Sequence, residues 1–281
     1  MNYRNDSLEK EFKENGFVVL KNILNSDEIN IAREQLSGIF METSHKKWWS
    51  SSVNLANCLA FYPHLSWVAL NHKIIQGVMS VLGDRDITFV NVFGIQKNML
   101  SGWHRDDGTG DLNSDGSYFG KVDMLNDSLK CVRVAIYLQN HNKKYPGLYV
   151  KSRSHLKRTK LDKGYECLKL SVGDVVIFDV RLVHSGTFRS KISQYILKNT
   201  KGRLNLYLKV ISDLIRKIFL SFRPPKFSIF LVYGLNNTHT STYGLNMMRN
   251  QQSLSGGETY LPEQITKKFK KIGIKTVDYH R

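Results

Sequence analysis

A histidine and an aspartate one residue apart, His104 and Asp106 in Trp103-His-Arg-Asp-Asp-Gly108, are followed eighty residues later by His184. This second histidine closes the segment Gly173-Asp-Val-Val-Ile-Phe-Asp-Val-Arg-Leu-Val-His184. A fold that uses all three must bring two distant segments together, and that requirement constrains the chain more than any other feature. Residues i and i+2 of an extended strand point the same way, so His104 and Asp106 can share one face of a strand end. The apolar run 175–178 ahead of His184 reads as a core strand. A closed β-barrel can join two such ends. Two imidazoles and one carboxylate can occupy one face of an octahedral iron(II), leaving the rest open. An H-x-D pair alone is common, and most are surface loops or a histidine bonded to a carboxylate. The partner at the end of a Gly-Asp-apolar strand makes His104, Asp106 and His184 the candidate metal ligands and catalytic residues.

Residues 7–24 read as a short helix, a stop at Gly16 and a strand over 17–20. Asn25 followed by Glu28 is a capping pattern, and Ile29, Ala32, Leu36 and Ile39 recur at helical spacing. Residues 66–82 predict another helix, ended by Gly83. Strands then dominate, at 87–93, 132–138, 147–150 and 175–178. Helices first and many short strands after argue for an α+β protein with a jelly-roll core. The segment 107–128, rich in Asp, Gly, Ser and Asn, reads as a loop over the H-x-D strand.

Leu204, Leu208, Ile211, Ile215, Ile218 and Phe222 alternate in spacings of four and three. They predict one amphipathic helix over 203–222, ended by Pro224-Pro225. The alternation of 203–210 also fits a strand, which is the competing period. An ordinary helix of this kind packs its stripe on the barrel. The functional alternative is a lid or membrane-surface contact presenting Lys209, Arg216 and Lys217. The last clear strand is 227–234, and a lysine-rich helix is predicted over 262–272. No repeat and no Pro- or Gly-rich linker divides the chain. It reads as one domain over 1–281, with a helical insertion at 188–225 and a helical C-terminal tail at 238–281.

Hydrophobic residues make up 41% of the 281, enough for a full core, and no run of eighteen apolar residues exists. The N-terminus lacks the apolar stretch of a signal peptide, so a cytoplasmic location is expected. Cys58, Cys131 and Cys167 are widely spaced and odd in number, which suggests neither a disulfide framework nor a zinc cluster. Net charge is +17, and residues 151–225 alone hold 17 Lys/Arg against 5 Asp/Glu. Such a field attracts phosphate-bearing substrates, anionic lipid or nucleic acid, although solvated lysines are the plain alternative. No zinc-finger, RNP or basic-zipper pattern is present, which argues against nucleic acid.

Taken in order, these pieces resemble the phytanoyl-CoA dioxygenase-like family of iron(II)/2-oxoglutarate-dependent oxygenases. The resemblance covers roughly residues 8–275. It is carried by the Glu14-Asn-Gly-Phe-Val-Val-Leu20 opening, Trp103 to Gly108, Val134-Ala-Ile-Tyr-Leu-Gln139, Gly147-Leu-Tyr-Val-Lys-Ser-Arg-Ser-His155 and Gly173 through Thr187. It implies a double-stranded β-helix (jelly-roll, cupin-like) core with flanking helices, Fe(II) and 2-oxoglutarate as cofactors, and a small-molecule substrate with O2 as partners. It also implies a basic residue after the second histidine that binds the distal carboxylate of 2-oxoglutarate. Where the family usually has an arginine, this chain has Gln194, and the insertion displaces the assignment. If the next strand is 226–233, Lys226 with Ser228 is the candidate clamp, Arg223 the reserve, and Arg203 the choice if 203–210 is a strand. The carboxylate of Asp106 argues against a halogenase, in which that ligand is missing. His155 matches a strand-end histidine of the family.

Trp48, Trp49, Phe61, Tyr62, the 107–128 loop, His239 and Arg249 are candidates for a substrate pocket. Two other classes compete with a hydroxylase of a small, anionic substrate. One is a non-catalytic barrel protein docking a membrane or an acidic partner through its basic face, which loss of any one ligand would favour. The other is a cupin isomerase or hydrolase, which ordinarily needs a third well-placed histidine.

Overall fold

The computed structural model describes residues 6–43, 52–109, 117–141, 147–156, 164–186, 199, 202–255 and 260–277. Local signals shape its first layer. Helix α1 (Asp6–Asn15) stops at Gly16, which has φ 83° and leaves no room for a Cβ: one would meet His155 Nδ1 at 2.4 Å. The chain passes straight into β1 (Phe17–Leu20). Helix α2 (Ser26–Thr43) opens on a reciprocal cap. The Glu28 N–H donates to Asn25 Oδ1 and the Asn25 N–H to Glu28 Oε2, each at 2.9 Å. Its buried residues are Ile29, Ala32, Leu36 and Ile39, the stripe the periodicity predicts, together with Phe40.

After β2 (Val53–Leu55) and the short α3 (Cys58–Phe61), the helix predicted over 66–82 is divided into α4 (Ser66–Ala69) and α5 (His72–Leu82). The cause is Asn71, whose Oδ1 accepts from the N–H groups of Lys73 and Ile74 and starts a new helix. Gly83, with φ 71°, ends α5 as expected.

The remaining strands are β3 (Ile87–Lys97), β4 (Cys131–Tyr137), β5 (Tyr149–Val150), β6 (Glu166–Cys167), β7 (Val175–Asp179), β8 (His184–Ser185), β9 (Phe227–Leu235) and β10 (Lys275–Thr276). They form two sheets. The larger runs β1-β7-β4-β9-β3-β10, with β2 also paired to β3, and the smaller runs β6-β5-β8. Among the described strands only β10 is parallel to its neighbour. Strand β3 changes register between Phe89 and Phe93, where Asn91 has φ 55°.

Period-two alternation sorts the large sheet onto two faces. Val132, Val134 and Ile136 of β4, Val175 and Ile177 of β7, and Ile229, Leu231 and Tyr233 of β9 join residues of α1, α2 and α5 in one core. Each such aliphatic side chain contributes about 1.5–3 kcal/mol by burial. The alternate residues, Arg133, Tyr137, Ser228 and Phe230 among them, face a cavity on the other side, shared with Leu148 and His184 of the smaller sheet's neighbourhood. Helices α1, α2 and α5 therefore cover one face, and the site opens on the other.

Helix α6 (Gly202–Ser221) follows β8 and precedes β9, where the 4-3 spacing predicts a helix, and the strand alternative for 203–210 falls. Its packing is not the ordinary one. No residue of α6 is buried, and Leu204, Ile211, Ile215, Ile218 and Phe222 of the stripe are exposed. The polar side makes the attachment instead. Arg216 donates through Nη1 to Ser52 Oγ at 2.5 Å and through Nη2 to the Asn98 carbonyl. The rest of the predicted insertion, 188–201, lies outside the described residues apart from position 199. The tail is helical in α7 (Thr238–Ser255) and α8 (Glu263–Lys271) but not throughout. Gly273 turns with φ 77°, and β10 then pairs Lys275 with Thr88 and Thr276 with Phe89. Among the described residues no helix is long and apolar enough to cross a membrane.

Candidate metal centre

The two distant segments meet through one pair of backbone bonds. His104 N–H donates to His184 O and His184 N–H to His104 O, both at 3.0 Å. This is an isolated antiparallel bridge, so the H-x-D segment is not the regular strand expected from its spacing. Asp106 N–H then donates to Val180 O at 2.8 Å, which fixes the aspartate beside the same segment. From behind, Tyr243 of α7 donates its hydroxyl to Asp106 O at 2.9 Å.

The three side chains converge, with ligating atoms all within 4.8 Å of one another. Asp106 Oδ2 is 3.4 Å from His184 Nε2, and Asp106 Oδ1 is 3.7 Å from His104 Nε2. His104 Nδ1 lies 2.8 Å from Gly102 O, and His184 Nδ1 lies 3.0 Å from Leu182 O. A carbonyl can only accept, so each Nδ1 carries the proton and each Nε2 turns a lone pair toward the cluster. Burial pushes His184 down to about 4, with His104 and Arg133 adding to the effect against the pull of Asp106. It is neutral, as a metal-binding imidazole must be.

Burial works against the charge on Asp106, yet Arg133, His184 and His104 together hold its carboxyl below the usual carboxylate range. Arg133 Nε stands 2.9 Å from Asp106 Oδ2. Both atoms are buried and neither makes a hydrogen bond, so the contact is an ion pair. Two imidazole nitrogens and a carboxylate oxygen without a hydrogen-bond donor form a set that suits a divalent iron-type metal.

Lys226, just before β9, and Ser228 within it line the cavity with His104 and His184. The Lys226 backbone is held by Asn98, whose Oδ1 accepts from Lys226 N–H and whose N–H donates to Lys226 O, both at 2.9 Å. Burial lowers the Lys226 ammonium, helped by Arg216 and Arg223. Arg223 and Arg203 do not line the cavity. Arg203 is exposed in the first turn of α6, and Arg223 is exposed beyond its end.

Sequence reasoning missed Arg133, His141 and Gln139. All three line the cavity. Burial, with Lys226 assisting, pushes His141 down to about 4, and its Nε2 lies 3.0 Å from Gln139 Nε2. Arg133 had a signal, a lone charge inside the apolar strand 132–138. Of the pocket candidates, Trp48 and Trp49 lie outside the described residues. Phe61, Tyr62, His239, Arg249 and the described part of 107–128 do not line this cavity. The loop does close on the H-x-D segment, with Tyr118 N–H donating to Asp107 O at 2.7 Å. His155 supports α1, its Nε2 3.2 Å from Lys13 O.

No protein-family model and no curated protein matches the sequence. Solved structures do match by fold. HygX from Streptomyces hygroscopicus, with nickel and 2-oxoglutarate bound, is 13% identical with a TM-score of 0.57, over 83% of this chain and 87% of that one. The epimerase SnoN, in complex with Fe3+, alpha ketoglutarate and nogalamycin RO, is 13% identical with a TM-score of 0.53, over 82% and 83%. EctD from S. alaskensis, with bound Fe, is 14% identical with a TM-score of 0.53, over 84% and 79%. At these identities the likeness is one of fold: the α+β architecture around His104, Asp106 and His184 is similar to that of structures solved with iron, nickel or 2-oxoglutarate.

Proposed function

We propose that this protein is an iron(II)- and 2-oxoglutarate-dependent dioxygenase that hydroxylates a small, anionic molecule, on a single domain whose two sheets form a double-stranded β-helix of the phytanoyl-CoA dioxygenase-like kind. The observation that carries the reading is the convergence of His104, Asp106 and His184 within 4.8 Å beside a cavity lined by Arg133 and Lys226.

His104 Nε2, Asp106 and His184 Nε2 hold iron(II). Arg133 keeps Asp106 ionised, and the Gly102 and Leu182 carbonyls keep both imidazoles in the binding tautomer. Lys226 holds the distal carboxylate of 2-oxoglutarate as a point charge, and Ser228 adds a hydroxyl donor. With these groups bound, 2-oxoglutarate, O2 and a substrate C–H become succinate, CO2 and an alcohol. The apolar walls given by Phe230 and Leu148 limit water at the reacting centre.

Anaerobic titration with iron(II) and 2-oxoglutarate tests the reading through a weak visible charge-transfer band, followed by O2 uptake and succinate release on mixing with air. Neither band nor 2-oxoglutarate-dependent O2 uptake would return the chain to a non-catalytic barrel protein. Product analysis must accompany the assay, because an epimerase and a carbocyclase occur among the structures of similar fold.

A further inference from the structure

Helix α6 is amphipathic, yet it is mounted with its apolar side outward. Leu204, Tyr207, Ile211, Ile215, Ile218 and Phe222 are all at least 49% exposed. Their spacings of three and four place them within an arc of roughly 100° on the helix surface. The opposite side carries Arg216, which ties the helix to Ser52 and to the Asn98 carbonyl. An ordinary surface helix buries its stripe and exposes its charge. Among the described residues nothing covers the stripe, and a contiguous exposed apolar patch of this kind marks an interaction surface.

The charge around the stripe selects the occupant. Between positions 202 and 226, Arg216 turns to the protein and Lys226 to the cavity, while Arg203, Lys209, Lys217 and Arg223 are exposed against the single acid Asp213. The whole chain carries +17. An isologous pairing of two copies through this face would bring two such cationic segments together, which like-charge repulsion opposes. An anionic bilayer meets both needs, since its acyl boundary accepts the apolar stripe and its headgroups neutralise the flanking cations. With no helix of spanning character among the described residues, α6 would lie in the plane of the interface.

We propose that α6 docks this protein on an anionic membrane surface, laying the stripe from Leu204 to Phe222 into the headgroup region. Docking uses a face that the metal ligands do not share, and it is independent of the reaction catalysed. The helix is anchored at Asn98, which also holds the backbone of the cavity residue Lys226, so docking sets one edge of the site close to the bilayer.

The test is flotation of the full chain with vesicles of phosphatidylcholine alone and of phosphatidylcholine with about a third phosphatidylserine. The expected result is at least a roughly tenfold larger bound fraction on the anionic vesicles, falling as salt rises. The triple variant Ile211→Gln, Ile215→Gln, Ile218→Gln should lose most of that binding while its circular dichroism and metal titration stay unchanged. A single change, Phe222→Ser, lies outside the helix proper and should weaken binding even if the triple variant loses helix content. Absence of binding to anionic vesicles overturns the proposal. So does binding that is equal in the variants, because charge alone would then explain it. A concentration-dependent dimer abolished by the same variants would assign the face to a second copy and also overturn it.

Discussion

His104 and His184, eighty residues apart, exchange both of their backbone hydrogen bonds at 3.0 Å. This single bridge places two imidazoles with ring centroids 4.3 Å apart. The candidate ligands are thus positioned by backbone hydrogen bonds, and the following expectations rest on that.

Binding of iron(II), or of nickel as a redox-silent probe, should raise the thermal midpoint in proportion to the logarithm of metal concentration, because the metal binds the folded state. His184→Ala should remove the shift and the 2-oxoglutarate-dependent band together. Its melting temperature without metal should stay within a few degrees of the parent. Differential scanning calorimetry with and without a chelator reads both.

Lys226→Ala should raise the KM for 2-oxoglutarate by about ten- to a hundredfold, the loss expected for a charged hydrogen bond of about 1.5–3 kcal/mol. The corresponding changes Arg203→Ala and Arg223→Ala should leave that KM near the parent value, since neither residue lines the cavity. An unchanged KM in Lys226→Ala would remove it from the clamp.

His141 gives a pH-dependent stability with a defined sign. Burial, aided by Lys226, holds it at about 4 in the folded chain against 6.5 for the ordinary group. Between those values the unfolded state binds the proton and the folded state does not. Stability is therefore full above about 6.5 and falls as pH drops toward 4, by on the order of 1–3 kcal/mol. Urea unfolding at a series of pH values should show this slope reduced in His141→Gln.

Asn71 joins two helices, capping α5 and donating from Nδ2 to Glu28 Oε1 of α2 at 2.9 Å. Asn71→Ala should cost about 1–2 kcal/mol of stability. Metal affinity should be unaffected, because α5 packs on the face of the sheet opposite the cavity. Denaturant titration and metal titration on the same variant separate the two effects.

Much of this arrangement was legible in one dimension. The Asn25–Glu28 cap, the stop at Gly16, the buried stripe of α2 and the helix over α6 each depend on residues close in sequence or on helix period, and the residue types of His104, Asp106 and His184 marked them as candidates although only the fold joins them. The i, i+2 spacing of Lys226 and Ser228, just before and within β9, also agrees with their lining one cavity. These features are set by local backbone geometry, which repeats whatever the rest of the chain does.

What only the tertiary structure decided depends on partners far along the chain. Arg133 looks like an interruption of an apolar strand until the fold brings Asp106 to 2.9 Å from it. His141 gains its environment from Lys226, eighty-five residues later. The pairing of β10 with β3 joins segments nearly two hundred residues apart: Lys275 pairs with Thr88. Periodicity located the apolar stripe of α6, but not the direction in which it faces. That was settled by Arg216, whose bonds to Ser52 and the Asn98 carbonyl tether the polar side of the helix. A hydrophobic pattern says which residues share a face, and only the contacts made by the opposite face say whether that face ends up inside.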